Sequence, residues 1–418
     1  MPRLLLLLPS TTYRTAAFVA AARQIGAELT VASEQPSTLE AVNPAGLITL
    51  ELQNPERAAD QARAFARQHP IDAVVGVDDD TAVVAAAVAE RLRLKGNPVH
   101  AAVAARDKHR QRELLAAVGV PAPRFALHRL DEDSRELAKT IAYPCVLKPL
   151  RLSASRGVIR ADDPASFVAA HERLNAIVAG CDPSFLVEEF IPGYEVALEG
   201  LLVNRRLHVL ALFDKPDPLD GPFFEETIYV TPSRVPAGLQ ATIVQCAERA
   251  ARALGLVEGP IHAELRYNER GPWLIELAAR PIGGRCSAVL RFGSGLASLE
   301  EIILRHALGM PIPSLEREPQ AAGVMMIPIP GAGTLGEVRG IAEAKAVPLV
   351  EDVQITAHPG ERLVPFPEGS RYPGFIFARG EAPAAVEAAL REAHRKLAFV
   401  LTPLPPPPPA SSAAPIRP

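Results

Sequence analysis

One stretch constrains this chain more than any other: residues 260–285, reading Pro-Ile-His-Ala-Glu-Leu-Arg-Tyr-Asn-Glu-Arg-Gly-Pro-Trp-Leu-Ile-Glu-Leu-Ala-Ala-Arg-Pro-Ile-Gly-Gly-Arg. It alternates. Ile261, Ala263, Leu265 and Tyr267 point one way, and His262, Glu264 and Arg266 the other. After Asn268-Glu269-Arg270-Gly271 the alternation resumes, with Trp273, Ile275 and Leu277 on one face and Glu276, Ala278 and Arg280 on the other. Period two around a Gly-containing turn predicts a β-hairpin. With the turn centred on Arg270, Glu264 falls opposite Glu276. Like charges so opposed destabilise a hairpin. A divalent cation between them would remove the repulsion, because hard cations take carboxylate oxygens. A solvated face carrying Glu and Arg would look the same, so the rest of the chain has to decide.

What precedes the hairpin is α/β. Residues 3–8 are an apolar strand, stopped by Pro9, and too short for a signal-peptide core. Ser10-Thr11-Thr12 follows, then an Ala-rich helix from about Arg14 to Ile25, ended by Gly26, and a strand from Glu28 to Ala32. Ile71–Val77 is another strand, followed by Asp78-Asp79-Asp80 and a helix to about Arg91. Strands alternating with helices predict a parallel sheet, with ligands at the carboxyl ends of its strands. Both polar triplets fall there, although Asp-rich segments also serve as helix caps. No Gly-x-Gly-x-x-Gly follows the first strand, which argues against a dinucleotide site.

Arg106-Asp107-Lys108 opens a helix that Gly119 ends. Residues 143–149 form a buried strand ending in Lys148-Pro149, and a small polar loop, Ser153 to Gly157, comes next. Backbone amides of such loops cradle phosphates. Residues 184–191 form a strand; Glu195–Gly200 and Leu207–Phe213 are further strands, and Asp214–Thr231 is a long loop. Beyond the hairpin lie helices at 236–255 and 297–308, strands at 323–329, 354–357 and 374–378, and a last helix at 383–400 that opens on Pro383. The net charge of −4 gives no basic excess for nucleic acid, and no apolar run reaches the ~20 residues of a membrane span. The four scattered cysteines show no metal-ligand spacing and read as reduced core thiols, which points to a cytoplasmic protein.

Taken in order, Asp107-Lys108, strand-end Lys148, the loop to Gly157, Val187-Glu188-Glu189-Phe190-Ile191 and two hairpin carboxylates followed by Arg280 resemble the ATP-grasp superfamily of carboxylate–amine ligases. Within it, Ile275-Glu276-Leu277-Ala278-Ala279-Arg280 and the C-terminal piece look most like the L-amino-acid ligase branch. The resemblance covers about residues 1 to 400. It implies a pre-ATP-grasp α/β domain at 1–105 and an ATP-grasp domain at 106–310, with lobes about 106–185 and 186–310. It also implies a C-terminal α+β subdomain at 320–402. Residues 403–418, rich in Pro, Ala and Ser, read as a disordered tail.

The resemblance also implies roles. Lys108 and Lys148 would neutralise ATP phosphates, and the loop with Ser153, Ser155 and Gly157 would close over them. Glu188, the backbone of Glu189, Phe190 and Ile191, and Glu195 would hold adenine and ribose. Glu264 and Glu276 would hold Mg2+, with Mn2+ as an alternative. Arg280 and Lys148 would be catalytic; Arg280, His262, Gly283 and Gly284 would meet the substrate. The expected activity is amide-bond formation through an acyl-phosphate from small-molecule carboxylate and amine partners, with a homodimer left open. Two alternatives remain: a biotin-carboxylase-like enzyme, for which no biotin-carrier segment is apparent, and a nucleotide-binding module without turnover. The second is motivated by Ala278, which stands where many ATP-grasp enzymes carry a metal-ligating Asn.

Overall fold

The computed structural model describes residues 1–10 and 12–403. Thr11 and, apart from Pro403, the expected Pro-rich tail lie outside the described residues. The amino-terminal sheet is parallel, in the order Leu47–Thr49, Glu28–Ser33, Arg3–Leu7, Ala73–Gly76. The four leucines from Leu4 to Leu7 are wholly buried, as a run covered by helices on both faces must be. Helix Thr15–Gln24 follows the first strand, and Asp78 caps helix Asp79–Leu92 by accepting from the Thr81 amide at 3.0 Å. The carboxyl ends of these strands therefore present Thr12, Tyr13 and Arg14 beside Asp78 and Asp79.

A small antiparallel sheet follows, ordered Phe125–Arg129, Ser184–Glu189, Cys145–Pro149, Ile159–Ala161, and backed by helix Pro164–Ile177. Phe167, Leu174 and Phe185 fill the space between sheet and helix. This lobe carries Lys148 and the loop after it.

The largest element is an eight-stranded antiparallel sheet, in the order Gly271–Ala278, Gly259–Asn268, Tyr194–Val203, Arg206–Lys215, Ile228–Thr231, Ala321–Met326, Gly374–Gly380, Val350–Ile355. It crosses the seam expected between 310 and 320, because Ile228–Thr231 pairs with Ala321–Met326. Two sequence expectations are corrected here. Strand Arg206–Lys215 runs two residues past Phe213, and residues 228–231 of the expected loop are a buried strand. The last helix stops at Lys396, where Leu397 turns to extended geometry (φ −83°, ψ 137°). Ala398–Thr402 then pairs with strand Gly333–Arg339, because Phe399 and Leu401 alternate onto a small core that a helix could not reach.

The expected hairpin is present. Asn268 faces Gly271 across Glu269-Arg270, and Glu264 faces Glu276. The register slips by one residue between Glu264 and Leu265, so Leu265 meets Leu274 rather than Ile275. Leu274 and Leu277 are buried with Ala263 and Leu265, and Ile275 faces the cavity described below. The expected face shared by Trp273, Ile275 and Leu277 is thus wrong. A β-bulge places an extra residue in one strand and flips those beyond it. Strand Gly271–Ala278 is an edge, and helix Lys108–Ala117 covers it: Gln111 donates to Leu277 O at 3.0 Å and accepts from Leu277 N at 2.9 Å. Asp107 caps that helix, while Arg106 ends the preceding one, Val99–Arg106. No described helix is long and apolar enough to cross a membrane.

Candidate active site

The small sheet, the hairpin, the ends of the parallel strands and the C-terminal segment enclose one cavity of about 730 Å³. Of the residues expected at a site, Lys108, Lys148, Ser153, Ser155, Glu188, Glu189, Phe190, Ile191, Glu195, His262, Glu264, Glu276, Arg280, Gly283 and Gly284 all line it. Gly157 does not. Its φ of +73° and the Leu174 Cδ1 that a Cβ would meet at 3.0 Å explain the glycine, and its amide donates to Pro367 O at 2.9 Å.

One end of the cavity is a slot. Pro123, Val146, Leu219 and Ile275 supply apolar surface, and Arg160 stacks 4.0 Å from the Phe190 ring centre. The amides of Glu189 and Phe190 bond Arg124 O and Pro144 O, so they are spent. The Ile191 amide has no protein acceptor among the described residues, and Ile191 lines the cavity. Glu188 is not free to meet a ribose. It is buried at 2% exposure, 2.7 Å from Lys148 Nζ and 2.8 Å from Arg112 Nε. Burial alone would raise its carboxyl; the charges of Arg112 and Lys148 outweigh that and hold it below the ordinary carboxylate range. Glu195 is likewise engaged, 2.6 Å from Lys215 Nζ.

The loop after Lys148 is strained rather than merely flexible. Ala154 and Ser155 both take left-handed φ, +54° and +52°, which costs L-residues roughly 1–2 kcal/mol each. Such strain collects at functional loops. The amides of Ser153, Ala154 and Ser155 find no protein acceptor among the described residues, and free amides in such a loop are what an anion binds. Lys108 faces this region, anchored by Leu152 O at 2.9 Å and Glu276 Oε1 at 3.0 Å.

Three carboxylates meet further in. Glu195, Glu226 and Glu264 bring oxygens within 4.8 Å of one another around Lys215, which lies 2.6 Å from each of the first two and 3.5 Å from Glu264. Arg266 also lies 3.5 Å from Glu195, so the three carboxylates face two fixed cations and exceed them by one, an excess that suits a hard cation. Burial raises the Glu226 carboxyl, whereas Lys215 and His262 beside Glu264 overcome burial there and hold it well below its usual value. Glu276, the expected partner of Glu264, faces it across the hairpin but ion-pairs with Lys108. His262 stands opposite Ala278, with Nε2 3.6 Å from Glu264 and Nδ1 3.6 Å from the wholly buried Glu199. Arg280 pairs with Asp79 at 3.0 Å and so ties the hairpin to the amino-terminal sheet. Asp78 also lines the cavity, Asp80 turns away to Arg106, and Thr12 lines the cavity while Ser10 bonds Glu34.

Sequence reasoning missed Lys215, Glu226 and Arg112. Lys215 ends a buried strand, the same signature that marked Lys148. Glu226 sits in a loop with no periodicity, and Arg112 is one helical turn past Lys108. A loop from the C-terminal segment closes the cavity. Ser370, Arg371 and Tyr372 line it, while Glu368 pairs with Arg173 of the small lobe at 2.8 Å.

A lobe closing a phosphate-type loop over a carboxylate-bearing sheet is the architecture of a nucleotide clamp, and family comparison agrees. The ATP-grasp N-terminal domain matches residues 19–96, the ATP-grasp domain 141–289, and L-amino acid ligase C-terminal domain 2 residues 325–402. The chain belongs to the ATP-grasp superfamily and carries the L-amino acid ligase C-terminal domain. Among solved structures it resembles L-amino acid ligase from Bacillus licheniformis, with TM-score 0.78 and 26% identity, covering 96% of this chain and 99% of that one. Alanine–anticapsin ligase of Bacillus subtilis is 28% identical over 289 residues, 63% of this chain and 61% of that protein. D-alanine–D-alanine ligase of Aromatoleum aromaticum is 32% identical over 190 residues, 44% of this chain and 60% of that protein. The chain thus spans about three fifths of the length of these two curated relatives.

Proposed function

We propose that the protein is an ATP-dependent ligase that joins the carboxylate of one amino acid to the amine of another. The observation that carries this reading is the convergence, in one cavity, of two buried lysines, a strained loop with free amides, a surplus of carboxylates and Arg280. In this reading the slot at Ile191 takes adenine, its free amide donating to the base. Lys108 and Lys148 face the phosphates, and the amides of Ser153 to Ser155 cradle them. Glu264 and Glu276 would hold magnesium, with Glu226 beside Glu264. When bound, the metal neutralises phosphate charge and sets its geometry.

The substrate carboxylate attacks the terminal phosphorus and ADP leaves, giving an acyl-phosphate. The amine attacks its carbonyl carbon, loses a proton, and phosphate departs as the amide forms. In this reading Arg280 would sit beside the acyl group, where charge develops and a fixed cation lowers a barrier. It should therefore act on the transition state more than on nucleotide binding. Arg280→Ala is expected to lower kcat about 100-fold or more while ADP affinity stays near wild type. The direct test is ADP release over a matrix of amino-acid pairs, with the amide product identified by mass. No ADP from any pair would sink the ligase reading; an Arg280→Ala enzyme of full activity would sink the role given to Arg280.

A further inference from the structure

Beyond Arg280 the cavity changes character. Tyr13 comes from the amino-terminal domain, Tyr372 and Phe375 from the C-terminal segment, and the ring centres of Tyr13 and Tyr372 lie 6.3 and 6.4 Å from that of Phe375. Ile282, Cys286 and Met326 complete this end. We propose that it is the side-chain pocket of the amino acid seated at Arg280, and that it selects large uncharged side chains, aromatic or long aliphatic. This rests on the ligase reading and adds the class of substrate to it.

Most charges near this end are already committed. Arg14 is 8% exposed and donates to the carbonyls of Pro281 and Ile282. Arg285 bonds Gln354 and lies 5.8 Å from the Phe375 and Phe377 ring centres, outside the lining. Glu226 is held by Lys215 and Tyr229. Arg371 sits at the rim with its side chain 84% exposed, 3.9 Å from Glu361. A charged side chain entering among the rings would lose its hydration, and Arg371 stays in solvent at the rim rather than among them. A short one would leave the rings uncovered and forgo their apolar area.

The two glycines at the entrance differ in a way that fits. Gly284 has φ of +56° and a Cβ there would meet Met326 Sδ at 2.3 Å, so its backbone and packing require glycine. Gly283 has no left-handed φ, and a Cβ there would meet nothing closer than Tyr13 Oη at 3.6 Å. Glycine at 283 is not needed for the fold; it keeps open the space beside Tyr13.

Tyr13 is half exposed, so truncating it leaves the core untouched. The experiment measures kcat/KM for L-phenylalanine, L-leucine and L-methionine against L-alanine, L-glutamate and L-lysine, in the wild type, Tyr13→Ala and Tyr13→Phe. Thermal-shift binding of the same six amino acids is measured alongside. The wild type is expected to favour the first three by about tenfold or more, Tyr13→Ala to lose most of that preference, and Tyr13→Phe to keep it. Comparable use of glutamate or lysine, or an unchanged preference in Tyr13→Ala, overturns the proposal. If no pair releases ADP, the ligase reading falls and binding decides the pocket: shifts from phenylalanine and leucine but not glutamate or lysine, lost in Tyr13→Ala, uphold it, and any other pattern overturns it.

Discussion

At the scale of single residues, the site is a set of charges that depend on one another. Lys148 is a binding residue in the proposed mechanism, yet it also stabilises Glu188 in the interior. Lys148→Ala should therefore cost stability as well as nucleotide affinity. Stranding a buried charge outright costs roughly 3–5 kcal/mol; with Arg112 still beside Glu188, about 2 kcal/mol is expected by urea denaturation. Adding Glu188→Gln should recover part of it. The same carboxyl gives a pH signature. Its folded value lies below the ordinary 4.5, so the native state holds that proton less tightly than the unfolded chain. Its contribution is complete above about pH 4.5 and is lost as pH falls through the lower folded value. Stability of Glu188→Gln should accordingly fall less steeply with acid than wild type. Glu276→Gln, which from sequence should relieve a like-charge pair, is instead expected to weaken the fold slightly, by about 1 kcal/mol or less, because Glu276 pairs with Lys108. Residue types and chain order made most of the site legible. What they hid was the allocation of charges: which carboxylate answers which lysine depends on packing between elements, and no local pattern encodes it.

At the scale of elements, long periodic segments were legible and shifts within them were not. The hairpin, the parallel strands and the capped helices follow from alternation and from Gly or Asp at their ends. The bulge at Ile275, opposite the step from Glu264 to Leu265, has no mark in the sequence, yet it brings Ile275 into the cavity. Helix Pro164–Ile177, with an Asp163 capping box and a proline in its first turn, carried signals that went unread. The break at Leu397 was harder, because Ala398-Phe399-Val400-Leu401 alternates over too few residues to be told from a helix end. Gln111 shows how one side chain governs an element. Gln111→Leu removes two hydrogen bonds to Leu277 and leaves that backbone unpaired, which should cost about 2 kcal/mol. If the edge strand moves, Lys108 loses its register with Glu276, so KM for ATP should rise together with the loss of stability.

At the scale of the whole molecule, the cavity exists only because distant parts of the chain close on it. Arg280 and Arg14 bind the hairpin region to the amino-terminal domain, and the loop at 365–372 binds the small lobe to the C-terminal segment. The Arg173–Glu368 pair is half exposed, so it carries little stability, roughly 1 kcal/mol or less. Its effect should show in closure: Glu368→Gln is expected to raise KM for ATP a few-fold, more at low salt than at high, with an almost unchanged melting temperature. The loop also has a consequence for how such enzymes diversify. Its Pro367 and Glu368 grip the lobe that would cover the phosphates in the proposed mechanism, and its Arg371 and Tyr372 wall the end that would meet the amino acid. A lineage, or an engineer, that lengthens this loop to admit a new side chain would slacken the nucleotide lid in the same stroke. Tyr13 approaches from a different domain and carries no such burden, which makes it the cheaper place for specificity to drift.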